Sequence, residues 1–68
     1  MTRDASDDER VYAYLTDYIE RNGYPPSRRE IAEAVAIPRS TVQTIIERLN
    51  AQGRIALTPG VNRGLRLR

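Results

Sequence analysis

Residues Ser27–Gly53 read SRREIAEAVAIPRSTVQTIIERLNAQG, and this stretch decides the fold. Ser27 and Glu30 have the spacing of a capping box, in which a hydroxyl caps a helix start and a glutamate three residues on bonds back to it. Ile31, Ala34 and Val35 then give a short helix its buried stripe, ending near Val35. Ala36-Ile37-Pro38 interrupts the pattern. Val42, Ile45, Ile46 and Leu49 resume it at helical spacing, and Gly53 stops it, so a third helix is expected from about Arg39 to Gln52. Pro38 suits the start of that helix, where a missing N–H costs nothing. Two helices joined by a turn of three to four residues make a helix-turn-helix.

Toward the N-terminus, Ser6 and Glu9 repeat the capping-box spacing, which predicts a first helix from near Asp7 and disorder over residues 1–6. Val11, Leu15 and Ile19 recur every four residues along it, with Tyr14 and Tyr18 alongside. Asn22-Gly23 is a natural stop, because both residues tolerate left-handed dihedrals. Tyr24-Pro25-Pro26 forces an extended connector, in which Tyr24 is expected to pack between the first two helices. Beyond Gly53 the period changes to two. Ile55 and Leu57, then Leu65 and Leu67, alternate with polar or small residues around a turn-rich segment, Thr58 to Arg63. The expected fold is therefore α+β and mainly α, a three-helix winged helix-turn-helix over residues 7–68 with a C-terminal two-stranded β-hairpin as its wing.

A chain of 68 residues makes one small domain with a thin core. It has no Cys, no His and no Lys, since all 11 basic residues are Arg. Disulfides, thiolate metal sites and the commonest general bases are thereby excluded, and no paired carboxylates stand at a spacing that suggests chemistry. Neither an enzyme, a cofactor nor a metal is expected. No apolar run approaches a membrane span. Charge is divided unevenly: residues 1–36 hold five Arg against eight acids, whereas residues 37–68 hold six Arg against Glu47 alone. The second half is thus suited to face a polyanion.

A helix fits the major groove of duplex DNA, and its first turns reach base edges. On the third helix, the side opposite the apolar stripe carries Thr41, Gln43, Thr44, Glu47 and Arg48, with Arg39 and Ser40 at its start. Gln43 is the best candidate for base readout, because its amide can pair bidentately with adenine. Ser40, Thr41 and Thr44 offer hydroxyls, and the Thr methyls can pack on thymine. Glu47 can accept from cytosine, although the plainer reading is a solvated acid paired with a neighbouring Arg. Arg28, at the start of the second helix, is placed to meet the sugar-phosphate backbone, while Arg29 faces Glu33 as a surface ion pair. Asn62 and Arg63 sit near the wing tip, where Arg63 would enter the minor groove or clamp a phosphate. Arg54, Arg66 and Arg68 supply general electrostatics.

The run Gly23-Tyr24-Pro25-Pro26-Ser27-Arg28-Arg29-Glu30-Ile31 resembles the entry to the second helix in the DNA-binding domain of the LexA repressor family. Ser40-Thr41-Val42, Leu49 to Gly53, and Pro59 to Leu67 extend the resemblance over about residues 8–68. It implies a winged helix whose base-reading positions fall on Ser40, Thr41, Gln43 and Thr44, with the wing arginine at Arg63. Three features depart from the family. The turn between the second and third helices is one residue shorter, Ala36 replaces a small residue that is commonly Gly, and most readout residues differ. The family's self-cleaving Ser–Lys protease domain is not implied by a stretch without Lys.

The expected function is sequence-selective binding of double-stranded DNA by a small cytoplasmic, nucleoid-associated transcriptional regulator of bacterial or phage origin. A single domain is expected to bind weakly, so that tight occupancy needs a homodimer on DNA, tandem sites or a fused partner, with one candidate dimer surface at Tyr12, Tyr14 and Tyr18. No membrane or small-molecule partner is expected. Two alternatives stand beside this reading: a winged helix used as a protein-interaction module, and a non-specific architectural DNA binder.

Overall fold

The computed structural model describes residues 5–58 and 64–68. In chain order these form α1 (Ala5–Asn22), α2 (Arg28–Val35), α3 (Arg39–Ala51), β1 (Ile55–Leu57) and β2 (Leu65–Leu67). The order helix, short helix, turn, helix, hairpin is the one expected from the sequence.

α1 starts at Ala5, two residues ahead of the expected Asp7, so Ser6 lies inside the helix and not at its cap. Asp7 and Asp8 in the first turn favour such a start, because carboxylates there face the positive end of the helix dipole. The helix stops as expected at Gly23, whose φ of 79° ends the regular dihedrals and whose N–H donates to Ile19 O at 2.8 Å. Pro26 is the connector residue that is fully buried. Tyr24, in contrast, is 49% exposed. Its ring meets Tyr18 edge-on at a 5.8 Å centroid distance. It packs on the outside of α1 and does not fill the space between helices.

The capping box of α2 forms as predicted: Glu30 N–H donates to Ser27 Oγ at 3.1 Å, and Ser27 N–H donates to Glu30 Oε1 at 2.7 Å. Its buried residues are Ile31, Ala32 and Val35. Ala32 therefore takes the place expected of Ala34, which is exposed, because this helix is covered by α1 on one side and α3 on the other. At its end, Ala36 adopts φ 59° and ψ 46°, the left-handed region, and Ile37 N–H donates back to Ala32 O at 3.1 Å. That six-to-one bond reverses the chain and drives Ile37 into the core. Arg10 of α1 completes the end by donating to Val35 O, which places a cation at a helix C-terminus.

Pro38 caps α3, which runs Arg39–Ala51 and closes at Gly53 with φ 78°. Val42, Ile45, Ile46 and Leu49 are all at most 1% exposed. They form one core with Val11 and Leu15 of α1, Ile31 and Val35 of α2, and Ile55 and Leu65 of the hairpin. β1 and β2 pair antiparallel with Ile55 opposite Leu67 and Leu57 opposite Leu65. This register turns one hairpin face toward α3, as the period-two pattern predicts.

Candidate nucleic-acid interface

Because the stripe Val42-Ile45-Ile46-Leu49 is buried, helical periodicity turns the intervening side chains outward. Arg39, Ser40, Thr41, Gln43, Thr44, Glu47 and Arg48 are all exposed. The three-residue turn, Ala36 to Pro38, brings the start of α2 alongside this surface. The arrangement is a convex ridge of hydroxyls, one amide and one acid, with cations at its start and its flanks.

The individual side chains differ in what they are free to do. Thr44 Oγ1 donates to Ser40 O at 3.2 Å, which occupies its proton while the side chain stays exposed. Arg28, the first residue of α2, donates from Nε to Gln43 Oε1 at 3.1 Å. Partial burial lowers the pKa of the Arg28 guanidinium, although arginine stays charged at any pH of interest. Gln43 Nε2 in turn donates to Glu47 Oε2 at 3.1 Å. The partner of Glu47 is thus Gln43 and not an arginine. Arg29 pairs with Glu33 at 3.2 Å as expected, and both are well exposed.

Arg48 stands apart from the rest. Its Nε and Nη2 donate to the two oxygens of Asp8 at 2.7 and 2.8 Å, so the guanidinium faces α1. The hydrogen bond from Arg48 holds the Asp8 carboxyl below its ordinary pKa, and the carboxylate raises that of Arg48. Arg54 is held similarly, by Glu9 at 2.8 and 3.2 Å, with its guanidinium carbon 4.0 Å from the centre of the Tyr12 ring. Two arginines of the basic half are therefore neutralised by the acidic start of α1. Among the described residues, no carboxylate pairs with Arg39, Arg66 or Arg68, and these remain available to an external anion. Asn62 and Arg63 lie outside the described residues.

Three relationships had no counterpart in the sequence reading: Arg28 with Gln43, Asp8 with Arg48, and Glu9 with Arg54. Their separations of 15, 40 and 45 residues carry no periodic signal. Only the packing of α1, α2, α3 and the start of the hairpin against one another brings them together.

Comparison with known proteins identifies the family of the chain. The model of the LexA DNA binding domain matches residues 3–64. The LexA repressor of Acetivibrio thermocellus is 42% identical over 60 residues, covering 87% of this chain and 28% of that protein. The LexA repressor of Shouchella clausii is 40% identical over 60 residues, covering 87% of this chain and 29% of that protein. The chain thus spans less than a third of the length of these curated relatives. With three helices, a hairpin and a sequence match over nearly all of its residues, the chain belongs to the LexA DNA binding domain family.

Proposed function

We propose that this domain binds duplex DNA sequence-selectively and acts as a transcriptional repressor, with the first two turns of α3 in the major groove. One observation carries the reading: Arg39, Ser40, Thr41, Gln43 and Thr44 form an exposed polar ridge directly over a stripe that is completely buried. A rigid helix that offers hydrogen-bonding groups without apolar anchors suits base edges. Arg39, Arg66 and Arg68 supply phosphate contacts and most of the affinity, whereas the ridge supplies selectivity. Arg28 flanks the ridge on the side of α2. The relatives matched are LexA repressors, which favours repression as the biological outcome.

A module of this size covers about 600–1,000 Å² on DNA, so one copy binds weakly. Tight occupancy follows from two copies on half-sites one helical turn apart, about 34–36 Å. The sequence argues against catalysis, since without His, Cys or Lys, and without carboxylates paired at a spacing that suggests chemistry, no mechanism can be assembled. No helix among the described residues is long and apolar enough to cross a membrane; the cytoplasmic site of action follows from the proposed binding to bacterial DNA.

Selection from a random duplex pool at a fixed salt concentration tests the reading. An enriched motif, with binding that falls steeply as salt rises, supports sequence-selective recognition. Recovery without enrichment indicates an architectural binder, and salt-insensitive capture of a protein partner indicates an interaction module.

A further inference from the structure

The amide of Gln43 lies between two charged groups that belong to different elements. Arg28 Nε of α2 donates to its oxygen, and its nitrogen donates to Glu47 of α3, both at 3.1 Å. An amide has a donor end and an acceptor end of nearly the same shape. On an isolated exposed helix, a glutamine therefore turns either end toward a given base at similar cost. Here a guanidinium stands at the oxygen end and a carboxylate at the nitrogen end. Reversing the amide would set N–H against a cation and C=O against an anion, so the reversed state is disfavoured from both sides. Each end still has one unused valence, a second lone pair on Oε1 and a second proton on Nε2.

We propose that Arg28 and Glu47 are positioning residues that set the flip state of Gln43 and thereby determine the base, and the strand, that it reads. The inference rests on the DNA-binding reading given above and adds a determinant of its specificity. The remaining acceptor and donor of the fixed amide match the N6 amino group and N7 of adenine. The fixed order places N6 toward the Arg28 side and N7 toward the Glu47 side, so an A·T pair is distinguished from a T·A pair at one step. Glu47 then acts through Gln43 and does not itself accept from cytosine. Both hydrogen bonds are exposed in the free domain. On DNA they are shielded from water, and the local field that orients the amide becomes stronger.

The test uses the whole chain and the duplex selected from a random pool. The step read by Gln43 is the one whose preference Gln43→Ala erases. Affinity is then measured on the selected duplex and on the same duplex with that pair inverted, for wild type, Glu47→Ala, Gln43→Ala and the double variant. Gln43→Ala is expected to reduce the A·T over T·A preference about tenfold or more. Glu47→Ala should remove most of the same preference, and the double variant should lose no more than Gln43→Ala alone. Glu47→Asp, which keeps a carboxylate four residues from Gln43, should restore the preference. Arg28→Ala should lower affinity on both duplexes and also reduce their ratio. A double variant whose losses multiply would mean that Glu47 reads a base of its own, and it overturns the proposal. So does an intact preference in Glu47→Ala. A wild-type chain that enriches no motif removes the underlying DNA reading as well, which separates the two failures.

Discussion

The guanidinium of Arg48 grips Asp8 through two hydrogen bonds, 2.7 and 2.8 Å long, across 40 residues of sequence. This contact joins the acidic half of the chain to the basic half at the start of α1. Arg54 and Glu9 repeat the arrangement beside it at 2.8 and 3.2 Å. A charge division that looks, along the chain, like one basic face is thus partly cancelled within the fold. Two of the basic half's arginines brace α1 against α3 and the hairpin.

Asp8→Asn should lower the melting temperature at pH 7, with a smaller loss at high salt. The Asp8 carboxyl has a folded-state pKa below its ordinary value of 3.8, chiefly because it accepts from Arg48. A depressed carboxyl stabilises the fold above its unfolded pKa, and that stability disappears as pH falls through the folded value. Wild type and Asp8→Asn should therefore converge in thermal stability below the carboxylate range. Melting curves at neutral and strongly acidic pH check this, and a difference independent of pH would point to packing instead.

Ala36→Gly should stabilise the domain by about 0.5–1 kcal/mol. The left-handed φ of 59° at Ala36 sets its Cβ against the following carbonyl, at a cost of about 1–2 kcal/mol, which glycine avoids. The greater freedom of glycine in the unfolded chain offsets part of the gain. Urea unfolding with an unchanged m-value would give the difference directly.

Ile46→Ala should cost about 2–5 kcal/mol. Ile46 is fully buried in the only core that a domain of this size can build. Since small domains hold about 5 kcal/mol or little more, the variant should be largely unfolded at 37 °C. Loss of helical circular dichroism at that temperature is the readout.

Arg39→Ala should weaken binding to selected and random duplexes alike. Among the described residues no carboxylate neutralises Arg39, and it stands at the first turn of α3, so its expected partner is a phosphate. The slope of log affinity against log salt should become shallower by about 0.9, the contribution of one phosphate contact. Gln43→Ala should leave that slope unchanged. Equal slopes in wild type and Arg39→Ala would remove Arg39 from the backbone contacts.

The helices, their order and most of their ends were legible in the sequence, because these depend on neighbours. The capping box at Ser27 and Glu30, the stop at Gly23 and the stripe from Val42 to Leu49 each lie within a few residues of the groups that cause them. The exposed ridge of α3 was legible for the same reason, since burying one side of a helix exposes the other. Which of those exposed side chains are free was not. Arg48 looks equivalent to Arg39 along the helix, yet one is committed to Asp8 and the other pairs with no carboxylate among the described residues. Gln43 looks like a free reader, yet Arg28 and Glu47 hold both of its ends. Ala32 and Ala34 exchanged places because the crossing of α1 and α3, not the spacing within α2, chose which side to cover. Local dihedral preferences and periodicity are short-range properties that a sequence states by itself. The pairing of charges depends on how far apart two helices lie and at what angle they cross, and only the packed core decides that.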